Sequence, residues 1–278
     1  MRSPASALIA LCLALVPVGV RAEQLPLWEA GVGLSGLNFP DYRGSDERTT
    51  LVLPFPYVIY RGEHLRLDRE GLRGLFFESD RVELDVSVNA GIPVNSDDNA
   101  ARKGMPDLDP TVEIGPSLNV TLLGNRREVS ELQLRLPVRA VIATDLSSAS
   151  TQGFVFEPRL NLDLRWREGG EGWRGGIAAG PVFATDRYAQ YYYSVAPQYA
   201  TPTRPAYAAS GGYAGSQLTL SLTWRGGSYW VGGFVRQDWL AGASYENSPL
   251  VKSDYALAAG VGIAYVFARS SRTVEAYD

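Results

Sequence analysis

The segment FVFEPRLNLDLRW, residues 154–166, alternates apolar and polar side chains along nearly its whole length. Its even-numbered positions are Phe, Pro, Leu or Trp, whereas the odd-numbered ones include Glu157, Arg159, Asp163 and Arg165. Because successive side chains of a β-strand point to opposite faces, the segment has one apolar face and one charged face. Similar runs recur from residue 81 to residue 267 and predict an all-β protein built of long amphipathic strands.

The first 22 residues have the pattern of a secretory signal peptide. Arg2 precedes an apolar run over residues 8–18, and Ala22 ends a small-residue cleavage site. The run is too short for a membrane-spanning helix, and no later segment is apolar enough for one. Cys12, the single cysteine, lies within the signal peptide, so we expect neither disulfides nor thiol chemistry in the mature chain. The net charge of −4, without a basic stripe, argues against nucleic-acid binding.

The connections between the predicted strands are of two kinds. Short polar turns fall near residues 61–63, 78–80, 124–127, 168–172 and 226–227, and longer connections near 38–48, 92–109, 143–151, 185–212 and 240–253. A further short turn at residues 68–71 makes 64–78 a hairpin; one bent strand is the alternative. With the hairpin, residues 23–267 form a closed antiparallel barrel of about twelve strands, with short turns and both termini in the periplasm. Residues 268–278 form a polar tail.

The apolar face of this barrel is predicted to contact outer-membrane lipid. The apolar faces carry almost no charge, and about twelve strands make a barrel too wide for apolar side chains to fill. Aromatic residues flank two short turns, as in the girdle of a membrane barrel: Trp166 and Trp173 at one, and Trp224, Tyr229 and Trp230 at the other. The sequence therefore favours a membrane barrel over a soluble one such as a lipocalin.

Several motifs resemble the MipA/OmpV family of Gram-negative outer-membrane proteins. One is FPDYRGSD at residues 39–46, which contains Pro40, Asp41, Tyr42 and Gly44. Another is ARKGMPDLDP at residues 101–110, followed by EIGP, which contains Gly104, Met105, Pro106 and Asp107. Leu53-Pro54, the run YYYSV at residues 191–195 and the closing YVF at residues 265–267 also fit, so the resemblance covers essentially the whole mature chain.

The resemblance implies a location, a fold and a kind of partner. It implies a barrel in the outer membrane of a Gram-negative bacterium, like that of the MltA-interacting protein. One family member is regarded as a scaffold that joins a lytic transglycosylase to a penicillin-binding protein in murein synthesis. The family has no known catalytic residues. Barrels of the outer membrane usually end on the aromatic residue of the last strand, whereas here Phe267 is followed by the polar tail.

Charged side chains on the inward faces have two interpretations. They could line a water-filled channel, or they could pair across strands and close the lumen. The balance of signs slightly favours closure. These lumen-lining charges are Glu83, Asp85, Glu113, Arg135, Arg139, Glu157, Arg159, Asp163 and Arg165.

Other candidate sites have simpler explanations. His64, the only histidine, could serve a lipid hydrolase, but beside a turn and without a partner motif it is far better explained as a solvated residue. Aspartates at residues 97, 98, 107 and 109 lack calcium-loop spacing and are typical of loop turns. Seven tyrosines within residues 188–213 either bind a partner or sugar, or fold into the barrel mouth.

These observations predict a protein without catalytic residues, metal or cofactor. By resemblance, its function would be that of a scaffold for murein-remodelling enzymes in the cell envelope. The alternative is a diffusion channel for small solutes.

Overall fold

The computed structural model describes residues 23–62, 65–68, 71–74, 76–125, 128–145, 147–168 and 170–276. The predicted signal peptide, residues 1–22, and His64 lie outside the described residues.

Antiparallel strands make up most of the described chain, and one short helix lies in a long connection. The strands are β1 Glu23–Pro26, β2 Trp28–Pro40, β3 Arg48–Arg61, β4 Leu65–Asp68, β5 Gly71–Gly74, β6 Phe77–Glu78, β7 Val82–Gly91, β8 Thr111–Gly124, β9 Ser130–Thr144, β10 Ala149–Phe156, β11 Arg159–Glu168, β12 Glu171–Ala184, β13 Gly212–Gly226, β14 Tyr229–Trp239, β15 Tyr255–Arg269 and β16 Thr273–Ala276. The helix is α1, Asp186–Tyr193.

The large sheet has a strand order that returns to its own beginning. From β5 it runs through β4, β3, β2, β15, β14, β13, β12, β10, β9, β8 and β7 to β6. β5 and β6 belong to one run of chain, residues 71–78, so the two ends of the order meet there, as in a closed barrel. β10 and β11 share a position, because each pairs with both β9 and β12. When β5 and β6 are counted as one strand and β10 and β11 as another, the described residues form twelve strand positions, as predicted.

The segment that decides the fold is interrupted once. Residues 154–166 are divided between β10 and β11 at Glu157 and Pro158, because proline has no N–H to donate to a ladder. The alternation continues across the break. Leu160 is exposed on the outer face, whereas Asp163 is buried on the inner face.

The hairpin predicted for residues 64–78 is confirmed, and the bent-strand alternative is wrong. β4 and β5 pair antiparallel over their four residues each. This hairpin is much shorter than its neighbour, since β4 pairs with β3 only at Tyr60 and Arg61.

Burial separates the two faces of the sheet as a membrane barrel requires. On β2, Val32 and Leu34 are 59% and 53% exposed. Glu29, on the opposite face of the same strand, is fully buried. A water-soluble barrel shows the reverse arrangement, with apolar side chains inside. An apolar outer face of this kind is typical of a barrel in a lipid membrane.

The aromatic girdle is present, with one correction. Trp166, Trp173 and Tyr229 are exposed on the outer face near the short turns. Trp230, which the sequence assigns to the same girdle, points inward instead and packs with Tyr57 inside the barrel. The reason is strand parity, because neighbours along a strand face opposite sides and Tyr229 is on the outer face.

The long connections pack together at one end of the barrel. Their buried side chains form one core with inward-facing residues at the strand ends, among them Val141 and Val182. α1 contributes Tyr188 and Tyr193 to this core. Of the two interpretations of the tyrosine-rich segment, the structure supports the one in which it folds into the barrel mouth.

Among the described residues, no helix has the length and hydropathy that a transmembrane span needs.

The chain ends form a small ribbon at the short-turn end. β1 pairs antiparallel with β16, from Glu23 opposite Ala276 to Pro26 opposite Thr273. The Leu27 N–H donates to the Arg272 carbonyl at 2.8 Å and extends this pairing towards the barrel. Most of the described part of the predicted polar tail is therefore ordered against the first residues after the predicted cleavage site.

Candidate functional site: the lumen and its two ends

The nine predicted lumen charges lie on the inner face of β7 to β11, or at the break between β10 and β11. Glu83, Asp85, Asp163 and Arg165 are buried there, and Arg159 is partly buried. The structure brings most of the nine into ion pairs or hydrogen bonds along the wall.

Arg139 on β9 is the centre of the first group of ion pairs. Its Nε donates to Glu113 on β8 at 2.9 Å, and its Nη2 donates to Glu157 at 2.5 Å. Glu157 occupies the break between β10 and β11, where the interrupted ladder leaves its side chain facing the arginine. One guanidinium thus joins three neighbouring strand positions through charge-assisted hydrogen bonds.

A second group of ion pairs lies nearer the short turns. Arg165 on β11 donates to Glu131 on β9 at 2.9 Å. Asp163 accepts from Arg174 on β12 at 3.0 Å and is 3.7 Å from Arg135 on β9. All these pairs join adjacent strands, so they line one wall of the lumen rather than bridge it.

The acidic pair on β7 lies on the same wall. Asp85 accepts a hydrogen bond from the Asn119 side-chain amide on β8 at 3.2 Å. Glu83 is buried beside it, two residues earlier on the same face.

One contact between strands that are not neighbours in the sheet was not predicted from the sequence. Glu29 on β2 is fully buried and accepts from Arg225 on β13 through both carboxylate oxygens, one bond measuring 2.9 Å. Arg61 lies 2.9 Å from the same carboxylate, and Arg269 lies 3.6 Å from it. Three cations from three strands therefore converge on one anion at the short-turn end. The available signal was a single acid in the apolar stretch LWEAGVGL, residues 27–34.

At the opposite end, the motif at residues 39–46 contacts three other loops, and we call it the hub. Pro40 ends β2, and Asp41 accepts from Thr49 at 2.8 Å and from the buried Asn99 at 2.9 Å. The Tyr42 hydroxyl donates to the Leu250 carbonyl at 2.8 Å.

Gly44 completes this hub with its backbone. Its φ of 92° lies in the region that favours glycine, and its carbonyl accepts from Lys252 at 2.7 Å and from Ser253 at 3.1 Å. The neighbouring Arg43 reaches down to Asp238 on β14 at 3.0 Å. Burial alone would lower the pKa of Arg43, but the Asp238 carboxylate raises it above its ordinary value.

The second motif, residues 101–110, folds on itself and then attaches to two other loops. Gly104 has a φ of 76°, and the Met105 N–H donates to the Arg102 carbonyl at 2.8 Å. The Pro106 carbonyl accepts from Arg102 at 3.0 Å, and Asp107 accepts from the Ser96 N–H at 2.7 Å.

Two buried arginines fasten this loop to the tyrosine-rich segment. Arg102 donates to the Tyr192 carbonyl at 3.2 Å and lies over the Tyr42 ring, and its burial lowers its pKa. Arg204 donates to the carbonyls of Ala101 and Lys103, each at 3.0 Å. Both contacts join residues far apart in the chain, so sequence spacing alone did not reveal them.

Stacked tyrosines fill the centre of the cap. Tyr193 stacks on Tyr245 with ring centroids 3.8 Å apart, and the Tyr193 hydroxyl donates to the Arg43 carbonyl at 2.9 Å. Burial raises the pKa values of Tyr193 and Tyr245 and raises that of Tyr192 to about 12. These phenols are therefore packed as neutral groups in the mouth.

The loop aspartates serve as hydrogen-bond acceptors. Asp107 holds Ser96, and Asp98 accepts from Asn95 at 2.9 Å. Among the described residues, no group of three or more His, Cys, Asp and Glu side chains is placed to hold a metal ion.

The sequence matches the model of one protein family. The model of the MltA-interacting protein MipA matches residues 32–267. The chain belongs to this family. The resemblance drawn from the loop motifs is thereby confirmed, and MipA membership together with the apolar outer face identifies an outer-membrane β-barrel of Gram-negative bacteria. In such barrels the short turns face the periplasm and the long loops face outward.

Several solved structures are similar to this MipA-family chain. A bacterial polysaccharide outer membrane secretin shares 10% identity at a TM-score of 0.43, with 86% of this chain and 99% of that chain covered. A Pseudomonas aeruginosa FadL homologue shares 11% identity at a TM-score of 0.32, with 92% and 74% covered. The outer membrane protein OprG from Pseudomonas aeruginosa shares 10% identity at a TM-score of 0.22, with 89% and 99% covered. The search of curated proteins found no significant match.

Proposed function

We propose that this MipA-family barrel is a non-enzymatic scaffold that holds murein-remodelling enzymes at the periplasmic face of the outer membrane. Its partners would be a lytic transglycosylase and a penicillin-binding protein. The family name, MltA-interacting protein, supports a murein enzyme as the partner class. In this proposal the barrel serves as an anchor, and its lumen does not conduct.

The observation that carries the proposal is the cluster around Glu29. The carboxylate is fully buried and joins Arg61, Arg225 and Arg269 from three strands. A diffusion channel needs a hydrated path, and a buried cluster that joins β2, β3, β13 and β15 would narrow the lumen at its periplasmic end. The interlocked loops close the other end in the same manner, through the contacts of Asp41 and Arg102.

The ribbon of β1 and β16 supplies a surface for docking. The short turns alone offer little area, but the ribbon adds a pair of strands at the end that faces the periplasm. Within the described residues, each ribbon strand pairs with the other alone, so each has an outer edge free for a strand of a partner. Addition of a strand to such an edge is a common mode of peptide recognition.

The test is a cross-linked pull-down from detergent-solubilised envelopes with the full-length protein as bait. Leu25, which is buried in the ribbon opposite Val274, is replaced by Asp to disrupt the pairing. The control is Gln24→Asp, which adds the same charge at the exposed neighbouring position.

We expect the wild type and Gln24→Asp to recover a lytic transglycosylase and a murein synthase, and Leu25→Asp to lose most of both. Recovery of neither enzyme class by the wild type would contradict the scaffold. Equal recovery by all three baits would exclude the ribbon as the docking surface.

A further inference from the structure

Among the described residues, the ladder of the barrel wall is incomplete beside β3. Over residues 48–59, this strand pairs with β2 alone within the described chain, because β4 pairs with β3 only at Tyr60 and Arg61. At about 3.3 Å per residue, this free edge of β3 is roughly 40 Å long. Loop contacts from Asn99 to Asp41 lie above it. The result is an opening at the side of the barrel, between β3 and the hairpin of β4 and β5.

The sequence of β3 protects this edge. Its pairing with β2 is continuous from Tyr60 to Arg48, and alternate N–H groups of an antiparallel strand point to the same neighbour. Pro54 and Pro56 have the same parity, so the continuous ladder requires that their nitrogens face away from β2. An unpaired N–H is costly in lipid, and proline removes it. Pro54 and Pro56 therefore lie in the part of β3 that has no second neighbouring strand among the described residues.

The inner wall next to the opening is apolar. We call it the apolar sector, and it is lined by Leu37, Leu53, Phe55, Trp230 and Phe234 from β2, β3 and β14. Phe55 meets Trp230 edge-on at 6.3 Å between ring centroids. The opposite wall carries the buried ion pairs of β8 to β12, so the lumen has one apolar and one charged side.

The apolar sector is open rather than filled. Glycines on neighbouring strands let its side chains lie flat against the wall. A Cβ on Gly33 would lie 2.4 Å from the Phe55 ring, and one on Gly260 would lie 2.5 Å from the Phe234 ring. Although Leu53 and Phe234 point inward, they remain 43% and 37% exposed.

We propose that the apolar sector binds the acyl chain of a membrane phospholipid that enters sideways between β3 and the hairpin. The Glu29 cluster lies below the sector and the Arg43–Asp238 pair above it, whereas the side opening is continuous with the lipid-facing surface. An aliphatic chain matches the aromatic and leucine lining, and the headgroup stays at the opening. This proposal is independent of the scaffold function.

Quenching of Trp230 by lipid tests the proposal. The protein is reconstituted in phosphatidylcholine vesicles whose acyl chains carry bromine, a short-range quencher of tryptophan fluorescence. One variant retains Trp230 alone, and a reference variant retains the lipid-facing Trp166 alone. In each, the remaining tryptophans are replaced by Phe, from the set Trp28, Trp166, Trp173, Trp224, Trp230 and Trp239. Gel mobility without heating confirms the folded barrel.

A charged side chain in the apolar sector distinguishes two causes of Trp230 quenching. One is a lipid acyl chain that has entered the sector, and the other is lipid that remains outside the wall. Leu53→Lys places an ammonium among the apolar side chains. Its control, Thr121→Lys, places the same group on the charged side, where the Thr121 hydroxyl contacts Glu131 at 3.2 Å.

We expect Trp230 to be quenched at least half as strongly as Trp166. Leu53→Lys should reduce that quenching at least twofold, and Thr121→Lys should leave it unchanged. Trp230 without quenching, or quenching that Leu53→Lys does not change, would overturn the proposal. If the tryptophan variants do not fold, mass spectrometry of the phospholipid bound to the wild type and to Leu53→Lys in detergent decides. A bound lipid lost in Leu53→Lys supports the site, and equal amounts overturn it.

Discussion

Glu29 on β2 and Arg225 on β13 form a bidentate pair, although β15 and β14 separate their strands in the sheet. A contact between strands that are not neighbours fixes the distance between two parts of the wall. Because Arg61 also binds this carboxylate, Glu29 neutralises charges that would otherwise repel one another. Loss of one partner from a buried ion pair leaves the others uncompensated.

Glu29→Gln should therefore destabilise the barrel by about 3–5 kcal/mol, since it removes the carboxylate on which three buried or half-buried arginines converge. Urea-induced unfolding in lipid vesicles, followed by tryptophan fluorescence, measures the change. Glu275→Gln, at an exposed position of the ribbon, is the control and should stay within about 0.5 kcal/mol of the wild type. Equal stability of the two variants would mean that the Glu29 cluster does not hold the wall.

Asn99→Ala should loosen the loop cap without opening the barrel. The fully buried Asn99 amide donates to Asp41 at 2.9 Å and to Ser45 at 3.2 Å, so both acceptors lose a partner. The expected cost is about 1–3 kcal/mol. Trypsin cleavage after the exposed Lys103 should become faster.

The control for that experiment is Asn125→Ala. Asn125 lies at a short turn of the opposite end, where its amide donates to Glu128 at 2.7 Å. Cleavage at Lys103 should be unchanged in this variant. A cleavage rate that rises equally in both variants would argue against Asn99 as a link between loops.

The tyrosines of the mouth make the cap sensitive to alkali. Burial raises the pKa of Tyr192 from 10.0 to about 12, so the folded cap favours the neutral phenol. The associated stability is fully present below pH 10 and is lost as the pH rises through about 12, because the unfolded cap ionises first. Ultraviolet absorbance of tyrosinate should show a late step, and Tyr192→Phe should reduce the amplitude of that step, to which Tyr193 and Tyr245 also contribute. A titration complete near pH 10 would contradict a packed tyrosine cap.

Strand alternation predicted the wall of this barrel well. The period of two is a local property of the sequence, and it alone decides which side chains face outward and which face the lumen. It therefore located the inward charges such as Asp163 and the hairpin at residues 64–78. It missed the contacts of Glu29, since a partner on β13 depends on how the sheet closes. Trp230 was assigned to the wrong face because an aromatic residue beside a turn suits either side of the wall.

The loop motifs were recognised from the sequence, but their contacts were not. Arg204 binds carbonyls about one hundred residues away, and no spacing rule predicts such a contact. The hub at Asp41 and Gly44 likewise depends on where three other loops meet. These arrangements follow from the closed wall, which brings distant strand ends together.

Conductance in planar lipid bilayers tests the central claim most directly. In this account the Glu29 cluster narrows the periplasmic end of the lumen and the interlocked loops cap the other end, so the purified wild-type protein should give no steady open-channel current in simple salt. Glu29→Gln should make transient openings more frequent, because the cluster at the periplasmic end loses its anion. Large, stable open-channel currents from the wild type would contradict the account.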